Sequence, residues 1–286
     1  MIPKFPEFKL LTIDDHQGLK PLMQAYPRTI CELSLANLHL WQDYDHPRVT
    51  RINDNICILI SPEGGKPFFY EPLGRHKLNE TIETCLRQTG LLSRVSASIL
   101  ELLPKERYVI FHLRDQDDYI YLVQELAAMK GKKYDGKRNH IKRFLKAHPS
   151  PVYRQLRPED EAAAGQLFEK WFAARKETRY FQKLAYPAQK NALARAFSGF
   201  SRLHLFGGAL FLDQELVGFN LGSELSREMV AVHFMYTDPH RHGLTQYLLQ
   251  TACKETYNNY KYINLEQDLG IPGLRTAKLS YHPYKI

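Results

Sequence analysis

The chain has 286 residues, 44% of them hydrophobic, 12% aromatic and 24% charged, with a formal net charge of +8. That composition belongs to a folded globular protein and excludes a disordered or collagen-like one. The length suits two domains of roughly 100–150 residues each, and no run approaches the ~18 apolar residues that a membrane-spanning helix needs.

In chain order, Phe8, Lys9, Leu10 and Leu11 read as a short strand followed by Asp14 and Asp15, with a helical run through Leu19, Leu22 and Met23. Periodicity then predicts helices over 33–41, 78–87 and 119–129, and strands over 49–52, 56–60, 68–70 and 108–111. Residues 130–146 hold eight Lys or Arg and one Asp, a net charge of +7, so nearly all the excess charge of the chain sits in one segment. Such a patch marks a phosphate-bearing partner, while a solvated, solubilising face is the plainer alternative. Within it Gly131 and Gly136 bound a short loop, and a helix from Lys137 would bury Ile141, Phe144 and Leu145. That leaves Arg138, Lys142, Arg143 and Lys146 on the open side, with Tyr134 offering a stacking face and Asn139 a hydrogen bond.

At residue 152 the chain repeats its own opening. Leu156-Arg157-Pro158-Glu159-Asp160 matches Leu11-Thr12-Ile13-Asp14-Asp15 at an offset of 145 residues, each acid pair standing where a helix N-terminus favours negative charge. Strands are predicted over 203–206, 208–212, 216–222 and 229–236, with a turn at Asp213-Gln214, then a helix over 244–257 and a strand over 260–265. Strands grouped into a meander with flanking helices indicate the α+β class.

The C-terminal stretch "INLEQDLGIPGLRTAKLSYHP", residues 263–283, gathers polar groups at the end of that last strand. At strand period Glu266 and Asp268 share a face, placed to take a proton from an attacking amine or hydroxyl or to hold an ammonium group. Gly270 and Gly273 thin the backbone for a substrate. Arg275 and Lys278, three apart on a short helix, would hold a phosphate or a developing oxyanion. The alternative is mutual neutralisation of the four charges, locking the helix to the sheet. No Ser-His-Asp ordering, metal-ligand cluster or Walker loop is legible, which disfavours hydrolase, metalloenzyme and NTPase chemistry.

The meander–helix–strand order behind Leu-x-x-acid-Asp resembles the GNAT superfamily, the acyl-CoA N-acyltransferase-like fold. Used twice, it resembles the tandem-GNAT proteins that take aminoacyl groups from aminoacyl-tRNA. "MKGKKYDGKRNHIKRF" at 129–144, the C-terminal stretch and "LSLANLHLW" at 33–41 resemble a soluble family related to the C-terminal catalytic domain of phosphatidylglycerol lysyltransferases. The resemblance implies two tandem GNAT-like domains, 1–148 and 149–286, and an aminoacyltransferase using charged tRNA without a metal or other cofactor. In that reading Glu266, Asp268, Arg275 and Lys278 are catalytic. Lys132, Lys133, Lys137, Arg138, Asn139, Lys142, Arg143, Gly270, Gly273 and Tyr281 bind substrate or phosphate.

On the GNAT template His233 faces the acyl-transfer centre. Gly243, with Arg241 beside it, occupies the turn that in simple members cradles the pyrophosphate of acetyl-CoA. A CoA-dependent N-acetyltransferase and a non-enzymatic tRNA- or RNA-binding protein are the two alternatives. The N-terminus lacks the apolar centre of a signal peptide, and Cys31, Cys57, Cys85 and Cys253 lie apart in apolar contexts. A cytoplasmic protein with reduced cysteines is expected, with tRNA at 130–146 and peripheral contact with anionic lipid as candidate partners.

Overall fold

The Leu-x-x-acid-Asp entry folds the same way both times. In each copy a strand cation pairs with the second acid six residues on: Lys9 with Asp15, and Arg154 bidentate on Asp160 at 2.6 and 2.7 Å. The same carboxylate turns back to accept the amide of Thr12 at 3.0 Å in one copy and of Arg157 at 2.9 Å in the other. Each acid thereby caps the short 3-10 turn that starts the following helix.

The structure, a computed structural model, describes residues 1–26, 29–175 and 186–286. They divide into two units, Met1–Leu113 and Arg114–Ile286. The first unit runs β1 (Lys9–Leu10), α1 (His16–Ala25), α2 (Leu35–Leu40), α3 (Gln42–Asp45), β2 (Arg48–Ile52), β3 (Asn55–Ile60), β4 (Phe68–Phe69), α4 (Leu78–Thr89) and α5 (Ala97–Leu100). Its sheet is ordered β1-β2-β3-β4, antiparallel throughout, and Leu92 then returns to bridge Phe69 in parallel.

The second unit runs β5 (Ile120–Leu122), α6 (Val123–Ala128), α7 (Asp135–Ala147), β6 (Val152–Gln155), α8 (Glu161–Ala173), α9 (Tyr186–Ser198), β7 (Phe206–Leu212), β8 (Glu215–Ser226), β9 (Met229–Thr237), α10 (Leu244–Glu255), β10 (Tyr262–Asn264) and α11 (Pro272–Leu279). Its sheet order is β5-β10-β9-β8-β7-β6, with β10 parallel to β9 and every other pair antiparallel. Both units therefore run strand, helices, antiparallel meander, helix, parallel return, which is the GNAT-like order; the chain is α+β with that unit used twice.

The units divide at 113/114, whereas the sequence suggested 148/149. Residues 114–148 go with the second unit because their apolar side chains are buried there. The expected helix over 119–129 opens as β5, whose Ile120, Tyr121 and Leu122 pair with β10, and becomes helical only at Val123. Leu126, Met129 and Ile141 of the α6–α7 hairpin pack on Leu249, Ala252 and Cys253 of α10. Farther along α7, Phe144 packs on Leu244 and Leu248. Residues 108–111 form no strand, and Val109 and Phe111 stand exposed. All four cysteines are free and buried.

Candidate active site

The site begins with a fault in the β8–β9 ladder. Leu221 pairs with Phe234 but Gly222 pairs with Val232, so His233 is an extra residue on β9. A bulge of this kind re-aims a side chain. Gly222 is what permits it, since a Cβ there would lie 2.2 Å from the carbonyl oxygen of Ala231. The His233 ring is fully buried and bridges two strands: Nε2 lies 2.8 Å from Ser223 Oγ, and Nδ1 lies 2.9 Å from Oε1 of Glu266, just past the end of β10. Ser223 is buried, and the Glu266 side chain keeps 17% of its surface open. A serine, a histidine and an acid, scattered over 44 residues of sequence and not legible there as a set, thus form one hydrogen-bonded chain from a buried hydroxyl to a partly exposed carboxylate. The sequence signal that could have found Ser223 is Gly-Ser in the middle of an apolar strand, where glycine marks a bulge.

Glu266 and Asp268 do not share a face. The strand ends at Asn264, and Glu266 takes a φ of +60°, so the two-residue alternation stops before it reaches them. Asp268 points inward and is completely buried. It accepts from Arg275 Nε and Nη2 at 2.8 Å each, from the Tyr119 hydroxyl at 2.6 Å and from the Gly270 amide at 2.8 Å, with Arg114 3.5 Å away. Burial by itself would push this carboxyl up, but the hydrogen bonds from Arg275 and Tyr119 outweigh it and hold it well below the ordinary carboxylate range. Arg275 also pairs with Asp115 at 2.7 Å.

Lys278 donates to the carbonyls of Leu265 at 2.6 Å and Glu266 at 2.9 Å, and to that of Gln267. Asp268 and Arg275 therefore form the ion-pair brace that the sequence offered as the alternative, Lys278 adds to it through backbone carbonyls, and the Glu266 side chain turns to His233. Gly270 is bare for a reason internal to that brace: a Cβ would fall 2.3 Å from the Asp115 carboxylate, and its φ is +68°. Gly273 lies exposed in the first turn of α11, and Tyr281 is buried.

The basic segment divides by burial. Lys137 is half-buried, its Nζ 2.6 Å from Ser280 Oγ and 4.0 Å above the Tyr281 ring, and burial lowers its pKa. Arg138 caps the end of α6 through the carbonyls of Met129 and Gly131 and pairs with Asp135. Lys133 pairs with Glu125 at 2.7 Å. Tyr134, the expected stacking face, is buried and donates to the Tyr281 carbonyl at 3.0 Å. The start of α7 thus meets the C-terminal stretch at Ser280–Tyr281, not at Glu266. Lys132, Asn139, Lys142, Arg143 and Lys146 remain exposed.

At the start of α10, Gly243 has a φ of +85°, and a Cβ would lie 2.2 Å from the carbonyl oxygen of His140 and 3.1 Å from Cβ of Phe144. Helix α7 therefore lies directly against the turn where simple GNAT enzymes hold a pyrophosphate. Arg241 is committed to Asp238 at 3.2 Å and Glu215 at 3.3 Å. Gly243→Ala is expected to lower the denaturant midpoint of the second unit, since the new methyl group meets backbone in a conformation that L residues disfavour.

A profile described as phosphatidylglycerol lysyltransferase, C-terminal, matches residues 23–286. Among solved structures, a conserved protein of unknown function from Bacteroides thetaiotaomicron VPI-5482 is 29% identical, over 100% of this chain and 97% of that one, with a TM-score of 0.86. The C-terminal domain of a putative lysylphosphatidylglycerol synthetase from Agrobacterium fabrum is 12% identical, over 94% and 89%, at 0.63. L-PGS from Bacillus licheniformis is 16% identical, over 99% and 90%, at 0.62. At the latter two identities the likeness is one of fold. No curated protein matches the chain.

Proposed function

The chain belongs to the phosphatidylglycerol lysyltransferase C-terminal family, and from that premise we propose that it moves an aminoacyl group from a charged tRNA to an amine or hydroxyl acceptor. Family membership supports an acyltransferase-type reaction; the donor is our inference. The observation that carries it is Glu266, a partly open carboxylate oriented by His233 at 2.9 Å. In the proposed step the acceptor nitrogen or oxygen attacks the ester carbonyl and passes a proton to Glu266. The bond from carbonyl carbon to ribose oxygen breaks, and the ribose oxygen recovers the proton. Such a reaction rests on positioning and a well-placed base.

The exposed cations of α7 suit the phosphates of the donor. Reversing Lys142 and Arg143 to Glu is expected to weaken tRNA binding and to reduce its log–log salt slope by about 1–2 units, since each phosphate contact contributes roughly 0.7–0.9. An unchanged slope in a filter-binding series would reduce this face to a solubilising one. A CoA donor is the weaker reading, because the backbone of α7 covers Gly243 where a pyrophosphate would lie.

Among the described residues no helix is long and apolar enough to cross a membrane, so a lipid acceptor would be met at a surface. The test incubates the protein with a pool of charged tRNAs and with amines, peptides or phosphatidylglycerol vesicles, following each aminoacyl ester. Acceptor-dependent loss of one ester supports the reading; hydrolysis at the rate of the protein-free control for all of them overturns it.

A further inference from the structure

We propose that Ser223 is a positioning residue: its hydroxyl donates to Nε2 of His233 and holds the ring whose Nδ1 proton aims the Glu266 carboxylate. The role of Glu266 as the base rests on the function proposed above; the tautomer does not.

The hydrogen-bond geometry carries the assignment. An unprotonated Nδ1 would set its lone pair against the Glu266 carboxylate at 2.9 Å, so Nδ1 carries a proton and donates. In the neutral ring Nε2 is then an acceptor. The atom facing it at 2.8 Å is Ser223 Oγ, whose hydroxyl can donate. The ring is closed off from water, so its two nitrogens take their roles from these partners rather than from solvent.

The fold does not require this chain of bonds. The first unit carries a one-residue bulge at the corresponding place: β4 leaves register between the Tyr70 amide bonded to Ile58 and the Leu73–Ile56 bridge. There the extra chain is Glu71-Pro72, and buried Glu71 accepts from the amide and hydroxyl of Ser96 at 2.7 and 2.6 Å. A bulge next to a parallel return is thus built without histidine. The Ser–His–Glu chain is a feature of the second unit alone among the described residues, and it runs to Glu266 of the C-terminal stretch.

The test is 15N NMR of the His233 imidazole in the full-length protein. The expected result is a neutral ring protonated at Nδ1 in the wild type, and in Ser223→Ala an unprotonated Nε2 resonance moved downfield by loss of the serine hydrogen bond while Glu266 keeps the proton on Nδ1. Ser223→Thr, which keeps the hydroxyl, should restore the wild-type spectrum, and the melting temperature of each variant shows whether it has folded. In transfer assays Ser223→Ala should lose about 10–100-fold in kcat with KM unchanged, by analogy with the groups that orient metal-bound histidines.

A wild-type ring that carries a proton at Nε2, or a folded Ser223→Ala whose Nε2 resonance is unchanged, overturns the proposal whatever reaction the protein performs. Absence of aminoacyl transfer alongside the expected spectra would instead overturn the proposed reaction and leave the tautomer assignment standing.

Discussion

Asp268→Asn is expected to cost about 3 kcal/mol, the lower end of what removing one member of a buried ion pair costs. The melting temperature should fall by about 6–12 °C for a unit of this size. Asp268 is wholly buried and its two oxygens serve Arg275, Tyr119 and the Gly270 amide. An amide can accept at one position only, and its NH2 would face the guanidinium. The pH dependence has a definite sign. The folded-state pKa of Asp268 lies below its ordinary value of 3.8, so its contribution is present above that value and is lost as pH falls through and below it. Thermal scans of wild type and variant should therefore begin to converge only below about pH 4 and meet as Asp268 is protonated in the folded state. A variant that melts with the wild type at pH 7 would return Asp268 to the role the sequence suggested, an acid available to substrate.

Glu266→Gln is expected to do the opposite. Transfer should fall by about 10²–10⁴-fold, the span of a lost general base, with little change in melting temperature. Its side chain is partly open and the brace holds it through backbone: Lys278 binds the Glu266 carbonyl and Asn264 Oδ1 accepts the Glu266 amide at 2.7 Å, both indifferent to the side-chain change. Glutamine keeps an acceptor for His233 Nδ1 but cannot take up a proton. Single-turnover rates with charged tRNA, set beside thermal melts of the same preparations, give both readouts. Full transfer activity in Glu266→Gln would remove the proton-acceptor role from this site. The two substitutions thus separate carboxylates that stand two residues apart and do different work.

The duplicated entry is determined by sequence alone. Asp15 and Asp160 each reach back three residues to an amide and six to a cation, contacts so local that the residue order dictates them. The meander of the second half is legible for a similar reason: β7 and β8 are joined by a tight turn at Asp213-Gln214, and pairing between neighbours in sequence needs no knowledge of the rest of the chain. The C-terminal stretch was also legible as a place, because two acids, two glycines and two cations at a strand end are costly to bury without a reason.

What those groups do was decided only by tertiary structure. Strand alternation placed Glu266 and Asp268 together. It failed because strand β10 ends at Asn264, and left-handed Glu266 then turns the chain. β5 reads as a helix in isolation, since Tyr119 to Met129 has helical spacing, and becomes a strand because β10 offers an unpaired edge. The same docking moves the boundary between units to 113/114. Ser223 and His233 meet because β9 carries one residue too many for its ladder with β8, and Gly222 was small enough to allow it. A bulge is a property of two strands at once. Neither strand's sequence states the register of the other, so the residue it re-aims becomes visible only when both are in place.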